Sequence, residues 1–189
     1  MLQNKIRIVG GLYKRTPLTV PTVEGLRPTP DRVREALFNW LGTSIEGAQC
    51  LDLFAGTGAL GIEALSRGAA GVVLVETQRK AIESIQDTLK RLKSPDNIKI
   101  KVMSAENYLA QSVGQFDVIF LDPPFGAQWL SKLAPKLPKF LSPGGVVYVE
   151  AESAQAWPGW EVRKSGKAGQ VHYHLLALQT SAALESAND

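Results

Sequence analysis

At 189 residues the chain is long enough for one domain with a real core and short for two. Its composition, 44% hydrophobic and 21% charged, is that of an ordinary globular protein, and a single cysteine, Cys50, excludes an internal disulfide framework and fits a reducing compartment. The net charge of +3 is modest but unevenly placed. Lys5, Arg7, Lys14, Arg15, Arg27, Arg32 and Arg34 stand against only Glu24, Asp31 and Glu35 in the N-terminal stretch, and the rest of the chain is near neutral. A basic arm on a neutral body points to a polyanion partner; an incidentally basic, solvated surface is the alternative.

The N-terminal MLQNKIRIVGG has no apolar stretch of signal-peptide length, and no window approaches about eighteen apolar residues, so a cytoplasmic, soluble protein with no membrane partner is expected. KIRIVGGLYKRTPLTV alternates residue types around Gly10 and Gly11, as a hairpin or extended arm does. VEGLRPTP reads as loop. Thr29 is then the expected N-cap of a helix with Pro30 at its first position, Val33, Ala36, Leu37, Trp40 and Leu41 at helical spacing, and Gly42 at its end.

From residue 48 short apolar runs alternate with helical patterns. Strands are expected at 49–54, 71–76, 98–103, 116–122 and 144–150, with helices near 58–68, 78–93, 105–113 and 127–140. This rhythm predicts an α/β fold with a mostly parallel sheet covered by helices on both faces. WEVRKSGKAGQVHYHLLAL instead reads as an antiparallel hairpin turning at 165–169. The expected organisation is a basic arm over 1–28, a catalytic domain over 29–179, and a small polar tail over 180–189 that reads as disordered.

In open α/β sheets ligands sit beyond the carboxyl ends of the strands, so the residues to question are those where strands become loops. LDLFAGTGALGIEAL places Gly56, Gly58 and Gly61 as G-x-G-x-x-G after a strand and at the opening of a helix, and Glu76 closes the next strand. Glycines there permit a tight turn and close backbone approach to a ligand, and the acid can accept from ribose hydroxyls. Nucleoside cofactor binding follows, and a nicotinamide dehydrogenase is one reading. Asp52 argues against it, since an acid before the glycines would face a pyrophosphate badly; it suits a cofactor with a cationic amino-acid end.

VIFLDPPFG poses the second question. Asp122 ends an apolar strand, and Pro123 and Pro124 have fixed φ and no N–H, which stiffens the loop and keeps its carbonyls out of a ladder. A carboxylate beside a free carbonyl matches the two donors of an exocyclic –NH2, and Phe125 offers a face for base stacking worth about 1–3 kcal/mol. Such bonds localise the amine lone pair and stabilise positive charge developing on nitrogen. No metal is needed for this chemistry, and no cluster of metal-ligand type accompanies it.

D-x-F-x-G-x-G resembles the first motif of S-adenosylmethionine-dependent methyltransferases, and D-P-P-F resembles the catalytic motif of those acting on exocyclic amines. RIVGGLYKRTPL followed by GLRPTPDRVREALFNWL narrows the resemblance to the RsmD-type family, bacterial methyltransferases of guanine N2 in 16S ribosomal RNA. It implies a Rossmann-like class I fold with a seven-stranded sheet and S-adenosylmethionine as cofactor. By the same resemblance Asp52, Phe54, Ala55, Gly56 and Gly58 hold the cofactor with Glu76 on its ribose, and Asp122, Pro123, Pro124 and Phe125 hold the target base. Arg27, Pro28 and Thr29 line the entrance. Where the family has Asp or Asn to read the adenine, this chain has Ser104 and Ala105, so backbone groups are expected to supply that contact.

Lys5, Arg7, Lys14, Arg15, Arg27 and Arg32 are the expected phosphate contacts to 16S RNA in a partly or fully assembled small subunit, with no obligate protein partner. The resemblance suggests guanine 966 in standard ribosomal numbering. The alternatives are a DNA adenine methyltransferase, an NAD-dependent oxidoreductase, and a non-catalytic RNA-binding module of the same fold. His172 and His174 are expected to take surface or sheet-packing roles, Cys50 a core position and Trp40 a core or interface one; Trp129, Trp157 and Trp160 could stack on RNA, and Arg163, Lys164 and Lys167 could extend the basic surface.

Overall fold

In the computed structural model the described residues are 6–21, 28–93, 95–125, 128–153 and 155–179. Lys5, Arg27 and the 180–189 tail lie outside them. Five parallel strands, β3 (Gln49–Asp52), β4 (Gly71–Glu76), β5 (Ile98–Val102), β6 (Phe116–Leu121) and β7 (Leu141–Ala151), alternate with helices as the periodicity requires. The antiparallel pair β8 (Trp160–Ala168) and β9 (Val171–Leu178) completes a seven-stranded sheet of order β5-β4-β3-β6-β7-β9-β8. The order reverses between β3 and β6, which opens a crevice at their carboxyl ends.

The central strands β4, β6 and β7 carry nearly continuous apolar runs because both faces are covered, whereas the edge strands β5 and β8 keep most of their residues exposed or half-buried. Cys50, Leu74, Val118, Phe120 and Tyr148 point to one side, under α1 (Asp31–Leu41) and α2 (Ala59–Ser66). Leu51, Val75, Ile119, Leu121 and Val149 point to the other, under α4 (Ala105–Gln111) and the 3-10 turn Ala134–Phe140 that continues α5 (Trp129–Leu133). Between α2 and α4 in the chain, α3 (Arg79–Arg91) buries Ala81, Ile82 and Ile85. The last helix was expected to run over 127–140; Pro135 and Pro138 remove amide donors there, and only its first turns are α-helical. No helix among the described residues is long and apolar enough to cross a membrane.

Two other expectations are revised. The C-terminal hairpin turns at Gly169 and Gln170 rather than over 165–169, since residues 164–168 stay paired with β9 in register. Thr29 is not the N-cap of α1. Pro30 occupies that position without a side-chain cap, and the Thr29 hydroxyl points instead into the sheet's carboxyl edge.

The N-terminal segment pairs β1 (Ile6–Arg7) with β2 (Pro17–Leu18) and buries Ile8 and Leu18 completely, so arm and body share one core. One carboxylate fastens it. Glu63 of α2 accepts from the backbone N–H of Val9 and of Gly10, both at 2.8 Å, and from Arg67 Nε at 2.8 Å. Its other charged neighbour is Arg34 of α1, whose Nη1 lies 3.6 Å away and whose Nη2 donates to the Arg7 carbonyl and to Asp31. Arg34 and Glu63 are both fully buried, so Arg34 is a structural cation and not part of a phosphate-binding face.

A buried ion pair broken from one side leaves an uncompensated charge in a poor dielectric. Glu63→Ala should therefore cost about 3 kcal/mol or more in urea denaturation and loosen the arm, and Arg34→Met with Glu63→Leu should recover only part of the loss, because the Val9 and Gly10 amides stay without their acceptor. A single-variant loss below about 1 kcal/mol would contradict the lock.

Candidate active site

Four adjacent strands each deliver a carboxylate to the crevice. Asp52 and Glu76 are the last residues of β3 and β4, Asp122 follows β6, and Glu150 lies one residue from the end of β7. They line a cavity of about 820 Å3 together with Thr29, Phe54, Gly56, Ser104, Phe125 and Trp129.

The glycine loop builds one half. Gly56 (φ 53°) and Gly58 (φ 76°) adopt the left-handed region that side chains disfavour, which lets the loop turn directly into α2. A Cβ at Gly61 would overlap the Leu74 side chain, so the third glycine lets α2 lie close on β4. Glu76 accepts from the N–H groups of Gly56, Thr77 and Gln78 at 2.7–2.8 Å, which fixes both loop and carboxylate. Asp52 is buried and its Oδ1 accepts from Phe54 N–H at 3.3 Å. Burial pushes its carboxyl up to about 7; the Glu76 charge adds to the rise, and the Phe54 and Gly61 amides oppose it. A buried carboxyl held this reluctantly as an anion is well matched to a cationic group.

The proline corner builds the other half. Pro123 is buried and Pro124 exposed, while Phe125 keeps 44% of its surface open at the mouth. Asp122 accepts from the Thr29 hydroxyl at 3.2 Å, and the same hydroxyl lies 3.0 Å from Glu150 Oε1, which also accepts from Tyr148 O–H at 2.8 Å. Burial, and after it the Glu150 and Asp52 charges, hold the Asp122 carboxyl well above the usual range, against the Thr29 hydrogen bond.

The cavity thus gathers most of the residues singled out in the sequence: Thr29, Arg32, Asp52, Phe54, Ala55, Gly56, Glu76, Ser104, Ala105 and Asp122 to Phe125. Gly58 is buried in the loop without lining it. Ser104 caps α4, its Oγ accepting from Asn107 N–H at 3.1 Å. Arg7, Lys14 and Arg15 lie outside the cavity on the N-terminal segment, and Arg7 Nε sits 3.6 Å from Asp31. Ala168, Gly169 and Val171 of the C-terminal hairpin also reach the cavity wall.

Sequence reasoning missed Glu150 and Tyr148. Glu150 carried a signal: it closes the apolar run VVYV as Asp122 closes VIFL. Cys50, Trp40 and His174 are structural, while Arg163, Lys164 and Lys167 are exposed on β8. Cys50 is buried and its thiol is pushed to about 12 by burial, then by Asp117 and Asp52. Trp40 stacks on Tyr173 at 5.3 Å, and His174 packs edge-on to Trp157 at 5.7 Å. Among the described residues no group of His, Cys, Asp and Glu could hold a metal ion.

A doubly wound sheet with acid-tipped strands around a glycine loop and a D-P-P-F corner is that of a Rossmann-like methyltransferase, and the chain is an enzyme of this class. It belongs to the family described as conserved hypothetical protein 95, whose model matches residues 6–177, as the resemblance to the RsmD-type family anticipated. It is 42% identical over 177 residues to ribosomal RNA small subunit methyltransferase D of Escherichia coli, covering 90% of this chain and 89% of that one. To the Haemophilus influenzae protein of the same name it is 39% identical over 183 residues, covering 92% and 94%. The solved structure of yhhF, a candidate methyltransferase of Escherichia coli, superposes with a TM-score of 0.83 at 41% identity, over 94% of this chain and all of that one.

The raised Asp52 carboxyl makes stability pH-dependent. The folded protein keeps this proton up to about pH 7, whereas an ordinary aspartate releases it near 3.8, so the stabilisation is complete below that value and lost as pH rises through 7. Asp52→Asn should raise the Tm of the ligand-free protein at pH 8, and the gain should shrink toward zero near pH 4. An equal change at both pH values would refute the burial of an ionisable proton here.

Proposed function

We propose that this protein methylates the exocyclic N2 of a guanine in small-subunit ribosomal RNA, with S-adenosylmethionine as donor and guanine 966 as target. The observation that carries the proposal is the Asp122 corner opening into the same cavity as Asp52 and Glu76. The relatives named ribosomal RNA small subunit methyltransferase D support the RNA substrate, and the family resemblance supports the position.

The residues present fit the donor. Asp52 supplies an acid for its ammonium, Glu76 an acceptor for ribose hydroxyls from a carboxylate already fixed by three amides, and Phe54 and Met103 apolar walls. When bound, S-adenosylmethionine supplies an electrophilic sulfonium methyl. Asp122 and the Pro123 carbonyl receive the two N–H groups of the amine and orient its lone pair, while Phe125 stacks on the base. Nitrogen that gains a methyl group must lose a proton, and Asp122 is the carboxylate placed to accept it, with Thr29 bridging to Glu150. The base must leave its stack to reach this depth. Lys14, Arg15 and Arg32 are exposed and available to phosphates.

Incubation with labelled donor and unmethylated 16S RNA or small subunits, followed by nucleoside analysis, should yield N2-methylguanosine; label appearing in adenine of DNA instead would overturn the proposal. Asp122→Ala should lose at least about 100-fold in kcat, because it removes an acceptor used in the transition state. Near-normal turnover by that variant would remove Asp122 from the chemistry.

A further inference from the structure

Three bases carry exocyclic amines, and they differ at the ring nitrogen beside the amine. Guanine presents N1–H, a donor, next to its N2 amine; adenine N1 and cytosine N3 present a lone pair. A corner that grasps only an –NH2 group, as Asp122 with a proline carbonyl does, cannot tell them apart. Something adjacent must.

The structure places a second acid there. Glu150 lines the same cavity at 5% exposure, and one hydroxyl, that of Thr29, lies 3.2 Å from Asp122 Oδ2 and 3.0 Å from Glu150 Oε1. Tyr148 O–H donates to Glu150 Oε1 at 2.8 Å, and the single Thr29 proton is shared between that oxygen and Asp122 Oδ2, so both hydroxyls fix where the carboxylate points. A site that needed only to hold an amine would be better without this acid, since a second negative charge makes Asp122 harder to ionise. The Asp122 carboxyl is indeed raised by Glu150 after burial. Two neighbouring carboxylates suit a base edge with donors on adjacent positions and repel one that places a lone pair beside the amine.

We propose that Glu150 is a specificity-determining residue that accepts the N1–H of the target guanine beside the Asp122 corner. The inference rests on the guanine-N2 reading above and deepens it, because it finds in the cavity itself a reason for guanine over adenine or cytosine. Thr29 and Tyr148 then act as positioning residues that aim the carboxylate.

The test compares guanine with 2-aminopurine at the methylated position of reconstituted small subunits. 2-Aminopurine keeps the amine but carries a lone pair at N1. Wild-type protein should prefer guanine by about 100-fold in kcat/KM, and Glu150→Gln, whose amide can donate to that lone pair, should narrow the preference at least about tenfold. Because 2-aminopurine also lacks O6, the change of ratio in the variant carries the assignment. Glu150→Asp, which keeps the charge but withdraws it by one methylene, should narrow the ratio as well and serves if the Gln variant does not fold.

Equal use of both bases by the wild-type protein would overturn the proposal with no variant needed. Variants that slow both substrates alike, leaving the ratio unchanged, would also overturn it and make Glu150 a packing residue. In either case methyl transfer to guanine persists and the proposed function stands. Absence of any transfer to guanine by the wild-type protein would defeat that function and this inference together.

Discussion

The constraint on which the site depends is the crowding of acids at one edge of the sheet. Asp52, Glu76, Asp122 and Glu150 end four neighbouring strands, and the parallel register brings them to one cavity. Burial first, and the neighbouring negative charges after it, make the carboxyls of Asp52 and Asp122 hold their protons more tightly. The fold answers with donors. Amides of the glycine loop and of the start of α3's approach satisfy Glu76, and hydroxyls of Thr29 and Tyr148 satisfy the deeper pair. The cavity is lined by four carboxylate-bearing strand ends, an electronegative wall suited to cations and N–H groups. A sulfonium donor with an ammonium end and a base edge rich in N–H groups match that wall.

The N-terminal segment has a part in this that its charge alone conceals. Glu63 and Arg34 tie β1, α1 and α2 together from inside, and α1 begins directly after Thr29. The segment therefore sets where the Thr29 hydroxyl falls relative to Asp122 and Glu150. That hydroxyl serves the desolvated carboxylates, while in the first turn of α1 the Val33 and Arg34 amides donate to the Pro30 carbonyl and Asp31 supplies negative charge. This placement links the stability of the arm to the electrostatics of the cavity.

The parts of this arrangement legible in sequence are those with a local signature. Strand–helix alternation gave the parallel sheet because both faces are buried, and the glycines, Asp52, Glu76 and D-P-P-F sit where strands end, which is where an α/β sheet places ligands. The parts that were not legible depend on tertiary contact. Thr29 before Pro30 has every local feature of an N-cap, and only the proximity of two acids from distant strands turns it away. Arg34 counts as surface charge in a composition, yet it is fully buried because Glu63 faces it across a helix pair. The hairpin turn moved because pairing with β9 extends through the glycine-bearing 165–168 stretch, where local residue preference suggested a loop.

The central claim is that the acid-tipped edge is a single chamber with a donor half and a base half. A crystal structure with S-adenosylhomocysteine tests it most directly. The account predicts the ribose on Glu76, the amino-acid end at Asp52, and the thioether sulfur facing the Asp122 corner across open space. A sulfur turned away from Asp122, or separated from it by packed side chains, would contradict it.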